Sequence, residues 1–143
     1  MCREGRPDDN GFGVRVLAGS FGDAYLQRVD VGQPGYTIVI WRGRHVADPT
    51  ELSAAEASGY FAEVLRVARA IEAHYRPIKI NLEMLGNGLP HLHTHVVPRY
   101  PTDGAPGHPA LFLSRAIDHG RTLPEDVVAR DAAALRELVA SRD

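Results

Sequence analysis

The stretch IKINLEMLGNGLPHLHTHVV, Ile78–Val97, decides the architecture of this chain. Its first residues alternate: Ile78, Ile80, Leu82 and Met84 fall on one side and Lys79, Asn81 and Glu83 on the other, the period of a strand with one apolar and one polar face. GNGLP then supplies two glycines and a proline, the composition of a change of direction. The next segment alternates again, with His91, His93, His95 and Val97 on one face and Leu92, Thr94 and Val96 on the other. Two such segments joined by a short turn predict an antiparallel hairpin.

Upstream, LSAAEASGYFAEVLRVARAIEAHYRP has helical spacing, with Tyr60, Phe61, Val64, Leu65, Ala68, Ile71 and Tyr75 in one apolar stripe. Ser53 and Glu56 have the spacing of a capping box at its start. Pro77 ends it near Tyr75 or Arg76, because a residue before proline is pushed out of the α region. Before residue 50, FGVRVLAG, DAYLQRVDV and GYTIVIWR read as short strands bounded by glycine and aspartate. Downstream, PTDGAPGHPALFLSRAIDHG is rich in proline and glycine and reads mostly as loop. TLPEDVVARDAAALRELVASRD reads as a second amphipathic helix, with a Thr122/Glu125 capping box and a packing face of Val127, Val128, Leu135, Leu138 and Val139. The sum is an α+β domain, an antiparallel sheet with helices on one face. One domain over residues 1–143 is expected, with a core at about 12–102 and a C-terminal loop and helix over 103–143.

A length of 143 residues with 44% hydrophobic and 24% charged residues fits a single core. A formal net charge of -2 gives no global attraction to a nucleic-acid polymer or an anionic membrane, so any phosphate must be bound at a local site. The single cysteine, Cys2, excludes an intramolecular disulfide and the cysteine-rich zinc frameworks. The charged N-terminus and the lack of any run of eighteen apolar residues lead us to expect a soluble, cytoplasmic protein.

Three imidazoles in strict alternation admit three readings: a metal site, phosphate chemistry, or a solvated polar strand. At about 3.3 Å per residue, Cα atoms four apart on a strand stand roughly 13 Å apart. Zinc holds its nitrogens at about 2.0–2.1 Å, so two neighbouring histidines, with ligands from elsewhere, could share an ion but all three could not. Phosphate chemistry uses them separately. The central ring, His93, can attack phosphorus while its other nitrogen is held by an acceptor. A flanking ring can donate to the non-bridging oxygens, and Asn81 and Asn87 offer amides nearby. The phosphate reading accounts best for three rings, with the two-histidine metal site and the solvated face as alternatives.

The segment NLEMLGNGLPHLHTHVVPRY, Asn81–Tyr100, resembles the signature of the histidine triad (HIT) family of nucleotide-binding hydrolases and transferases, whose HxHxHxx motif is filled by His91, His93, His95, Val96 and Val97. LGNGLPHLH is similar to a bacterial branch described as diadenosine polyphosphate hydrolase-like. GYTIVIWRGRHV and ELSAAE are similar to the family's third strand and the opening of its long helix, so the resemblance covers about residues 20–102. It implies a HIT-like fold, a five-stranded antiparallel sheet with a long central helix and a C-terminal helix. It also implies a hydrolase acting at the α-phosphate of a nucleoside phosphoanhydride or phosphoramidate, with dinucleoside polyphosphates the named class, through a covalent nucleotidyl-histidine. A nucleotidyl transferase or phosphorylase, or a nucleotide-binding module with little activity, are its alternatives. On this resemblance His93 is the nucleophile, His95 binds phosphate oxygens or assists the leaving group, His91 orders the central ring, and Asn87 and Asn81 contact phosphate. No tightly bound cofactor or metal is implied, although some members respond to divalent ions carried by the substrate. Homodimers are common in the family.

Departures and outlying residues complete the reading. Tyr36 stands in QPGYTIVI where many relatives have histidine, so that imidazole is absent or replaced by a phenol, and an ordinary strand aromatic is the simpler account of it. Asp30 is a displaced candidate for the ribose hydroxyls, with Gln27 and Arg28 nearer the usual place. Arg99 is a candidate for a pyrophosphate leaving group. Arg42, Arg44 and His45 form a basic cluster that could meet a phosphate tail, though a solvated strand end explains them as simply. Trp41 and Phe61 read as core, and His108 and His119 as exposed polar residues.

Overall fold

The computed structural model describes residues 5–105, 107–114 and 121–141, so Cys2 and His119 lie outside the described residues. The chain forms β1 (Gly13–Ala18), β2 (Gly22–Gln27), β3 (Thr37–Trp41), a 3-10 turn at Pro49–Glu51, and α1 (Ala54–Tyr75). It continues with β4 (Lys79–Glu83), β5 (His93–Arg99), a second 3-10 turn at Leu111–Ser114, and α2 (Glu125–Ala140). The five strands make one sheet in the order β1-β2-β3-β5-β4, each neighbouring pair antiparallel. The predicted hairpin is therefore present, and it returns β5 to an inner position beside β3, leaving β4 at the edge. Edge placement explains why the apolar side of β4 thins at its ends: Ile80 and Leu82 pack against the core, while Ile78 and Met84 are exposed.

Both faces of β5 are used, and they differ. On one face Leu92, Thr94 and Val96 meet α1 and α2, in a core with Val39, Trp41, Tyr60, Val64, Ile71, Val128, Leu135 and Val139. Thr94 is fully buried there, and its hydroxyl lies 2.9 Å from that of Tyr60, which donates to the carbonyl of Val39 at 3.0 Å. On the other face His93, His95 and Val97 look away from the helices, toward a smaller apolar cluster of Tyr36, Val97 and Ala110 with Ile38 and Phe112.

Local chemistry explains the boundaries. Ser53 and Glu56 form the capping box that the sequence predicts for α1. The helix closes at Arg76 in the left-handed conformation, φ 51, immediately before Pro77. Glu63 of α1 accepts backbone N–H groups of Ser20, Phe21 and Gly22, which fixes the β1–β2 turn on the helix. The Thr122/Glu125 box is not formed: α2 starts after Pro124 without a side-chain cap, Thr122 bridges to Val29, and Glu125 accepts from Arg28 instead. Phe61 is 42% exposed, since it sits at the margin of the α1 stripe, whereas Trp41 is core as expected. The proline-rich segment is not loop throughout, for it contains the 3-10 turn at Leu111–Ser114.

Residues before β1 cross the face opposite the helices. Asp23, fully buried on β2, accepts from Arg6 and Arg42, and Tyr25 donates to the carbonyl of Pro7. Burial opposes ionisation of Asp23, but the hydrogen bonds from Arg6 and Arg42 outweigh it and hold the carboxyl below the usual range. This strap brings Asn10–Phe12 to the edge of the open part of the face.

Gly35 shows what the crossing between β2 and β3 requires. Its φ is +87, and a Cβ there would stand 2.6 Å from the ring of Tyr75, whose hydroxyl donates to Asp131 of α2. The ring cannot swing away without breaking that bond. Gly35→Ala is expected to destabilise the fold by about 2 kcal/mol or more, from backbone strain and overpacking together; a urea midpoint unchanged from the wild type would refute this.

Candidate active site

β5 delivers two imidazoles, not three, to the open face. His93 and His95 occupy alternate positions, paired across the ladder with Ile40 and Ile38 of β3. His91 lies two residues before the strand begins, and its ring is 5% exposed, donating from Nε2 to the carbonyl of Trp41 at 3.0 Å beside the ring of His45. The alternation read from the sequence therefore stops short of His91, because the backbone there leaves the ladder. Burial lowers the tendency of His91 to ionise, against the opposing effect of its bond to Trp41.

The contribution of His91 to its neighbour comes from its main chain. The Nδ1 of His93 lies 2.7 Å from the carbonyl oxygen of His91. A carbonyl only accepts, so Nδ1 carries the proton and the neutral ring keeps its lone pair on Nε2. That is the protonation pattern of a nitrogen nucleophile. His95 packs nearly perpendicular to His93, with ring centroids 4.9 Å apart. Burial, and to a lesser degree the proximity of His93, push His95 down to about 4, so it is neutral at physiological pH. Its Nδ1 lies 2.8 Å from the hydroxyl of Tyr36. Tyr36 is itself buried and is pushed well above the usual phenol range by desolvation, then by the charge of Glu83.

His93 stands between two cavities. The larger, about 810 Å³, is lined by both imidazoles and by largely apolar walls, including Phe12, Val29, Ile38, Ile40, Leu89 and Phe112, with Gln27, Arg28 and Asn87 as polar members. The smaller, about 210 Å³, lies across the 85–87 loop and is lined by Ala47, Asp48, Pro49, Asn87 and His93. Asn87 thus borders both.

The other sequence candidates are placed elsewhere. Asn81 shares the histidine face, opposite Val97, but its Oδ1 accepts from Arg99 at 2.6 Å and it lines neither cavity. Arg99 is 3% exposed, and its five N–H groups go to both oxygens of Asp103, to Asn81, and to the carbonyls of Ala105 and His108. It organises the loop over residues 100–108 and has no donor left for a leaving group. Asp30 accepts from Arg121 at 2.7 Å and from the N–H of Gly32, outside the larger cavity. The basic cluster is likewise engaged: Arg42 pairs with Asp23 and Arg44 with Glu56. His108 is exposed, as read. Among the described residues no group of three His, Cys, Asp or Glu side chains is arranged to hold a metal ion.

Two positions depart from the simpler reading of the sequence. Tyr36 is the partner of His95 rather than a plain strand aromatic, and the signal for this was parity: it is two residues before Ile38, which faces His95. Of the residues named for the ribose hydroxyls, Gln27 and Arg28 line the larger cavity and Asp30 does not; Arg28 is paired with Asp9 of the N-terminal strap and Glu125 of α2.

Residues 24–102 match the family model described as HIT domain. The Protein hit of Bacillus subtilis (strain 168) is 30% identical over 123 residues, covering 81% of this chain and 81% of its own length. The bis(5'-adenosyl)-triphosphatase of Saccharomyces cerevisiae is 31% identical over 72 residues, which are 47% of this chain and 35% of that protein, so the chain spans about a third of that relative. The solved histidine triad proteins of Bradyrhizobium japonicum and Marinobacter aquaeolei each superpose with a TM-score of 0.77 at 20% identity. The first alignment covers 90% of this chain and 91% of the other, the second 92% of each. Carrying the family's HxHxHxx motif across the entry to β5, and matched to its model over more than half of its length, this chain belongs to the HIT domain family.

Proposed function

We propose that this protein is a nucleotide hydrolase acting at the α-phosphorus of a nucleoside phosphoanhydride, with dinucleoside polyphosphates as the substrate class. The observation that carries this reading is the bond from His93 Nδ1–H to the His91 carbonyl, which in the neutral ring places the lone pair on Nε2, at the junction of the two cavities. The family membership and the name of the yeast relative support the substrate class.

In the proposed reaction the nucleoside occupies the larger, apolar cavity and the departing group the smaller one. Nε2 of His93 attacks the α-phosphorus, the bond from phosphorus to the bridging oxygen breaks, and that oxygen leaves with the electron pair. The positive charge developing on the ring is stabilised through Nδ1–H by the His91 carbonyl. Asn87 and His95 face the non-bridging oxygens. Water then attacks the nucleotidyl-histidine, the phosphorus–nitrogen bond breaks, the water's proton passes to solvent, and a nucleoside monophosphate is released. Arg28, Arg42 and Arg44 are already ion-paired, so the charge of a phosphate chain is met by a divalent cation that arrives as part of the substrate. We further propose that the open edge of β4, with Ile78 61% exposed, pairs with a second copy of the chain.

His93→Ala is expected to reduce turnover of a diadenosine polyphosphate by at least about 10⁴-fold while retaining AMP binding, as for loss of a nucleophile from a preformed site. Steady-state kinetics and calorimetry check the two halves; a variant retaining wild-type turnover would end the assignment. Rapid acid-free quench and mass spectrometry of the wild type should find one nucleotidyl group on the peptide containing His93. Turnover without that adduct at any time would exclude the covalent route.

A further inference from the structure

We propose that Tyr36 is a positioning residue that locks His95 in the tautomer opposite to that of His93, so that the site presents one bare ring nitrogen and one N–H to the same phosphate. The inference rests on the reading of the site as one for phosphorus chemistry. It begins from the two partners that hold the rings. His93 is held by a carbonyl, which only accepts. His95 is held by a phenol, which can accept or donate.

The choice at His95 follows from the groups around it. Tyr36 reaches it from just before β3, at 2.8 Å, with the two rings near parallel. His93 faces it along β5, Ile38 lies across the ladder on β3, and Glu83 lies across on β4. The far side of the Tyr36 ring is closed edge-on by Phe112, with centroids 4.9 Å apart. The bond to His95 is the one hydrogen bond that the Tyr36 hydroxyl makes among the described residues.

If His95 carried its proton on Nδ1, it would donate to the phenol oxygen, and the hydroxyl hydrogen of a 3% exposed tyrosine would need another acceptor. If the hydroxyl donates to Nδ1, both groups are satisfied. The second arrangement places the His95 proton on Nε2. A donor on Nδ1 also favours the neutral ring, acting in the same direction as burial. Adjacent imidazoles on one strand thereby become a nucleophile and an N–H donor through two different holders, although the residues are the same.

The test is Tyr36→Phe, which keeps the ring against Phe112 and removes only the hydroxyl. Ring-nitrogen-labelled NMR of the free wild-type protein should show protons on Nδ1 of His93 and Nε2 of His95. In Tyr36→Phe the His95 tautomers should mix and its ionisation should rise toward the ordinary histidine value. With a dinucleoside polyphosphate, kcat should fall about tenfold or more while KM and the thermal midpoint change little, as when a wrong tautomer is allowed. Wild-type His95 protonated on Nδ1, or a Tyr36→Phe protein with unchanged tautomers and unchanged kcat, would overturn the proposal. If the NMR pattern is found and no nucleotide is turned over, the hydrolase reading fails and the role of Tyr36 in setting the tautomer stands.

Discussion

The bond between the His93 ring and the carbonyl of His91 depends on how the chain enters β5. For that carbonyl to reach Nδ1, the backbone at His91 must already have left the ladder, yet stay fixed. Leu92 does the fixing. Its side chain is buried on the helix side, its N–H donates to the carbonyl of Val46, and its carbonyl accepts from Trp41. The N–H of His91 is bonded to Leu89 and its ring to Trp41. The position of one acceptor is thus set by core packing on the opposite face of the sheet, which ties the geometry of the site to the stability of the fold.

The two faces of the sheet divide the work. The helix face supplies the apolar burial, with α1 and α2 packed over a core to which β1, β2, β3 and β5 contribute. The other face carries polar groups that would be costly inside a core: Asp23 between two arginines, and Arg99 with its shell of acceptors. Buried ion pairs of this kind add little net stability over apolar residues but are costly to break, so they specify position. Here they specify where the N-terminal strap and the turn after β5 lie, and Asn10–Phe12 of the strap line the larger cavity.

How far the sequence reveals this differs from element to element. The strands, the capping box of α1 and the shared face of His93 and His95 follow from periodicity and spacing, which are local properties. The cap of α2 does not, because Glu125 is drawn away by Arg28, nearly a hundred residues earlier in the chain. Arg99 and Asn81 read as phosphate ligands because nothing local shows that the chain after Tyr100 folds back on Arg99, or that Arg99 in turn donates to Asn81. His91 is misplaced by extending a regular alternation two residues too far. Tyr36 is a case between these: its face was deducible from parity, but its partner depended on which strand lies beside β3, and that is a property of the topology.

The charge arrangement bears on how an anionic ligand would be held in such a site. The arginine that lines the larger cavity faces two carboxylates, and the chain as a whole carries a formal charge of -2, so neither supplies a free cation. An unscreened pair of unit charges 4 Å apart in bulk water is worth only about 1 kcal/mol. Removing 100 Å² of apolar surface from water is worth about 2.5 kcal/mol. With walls of Phe12, Val29, Ile38, Ile40 and Phe112, the larger cavity favours burial of a flat apolar group over attraction of charge. In the proposed reaction, neutral donors fixed in direction, a ring N–H and an amide, act on phosphate oxygens at short range, where preorganised dipoles need the least reorganisation. On the proposed reading, affinity and chemistry have separate sources: apolar contact holds the nucleoside, and two oriented imidazoles act on the phosphorus.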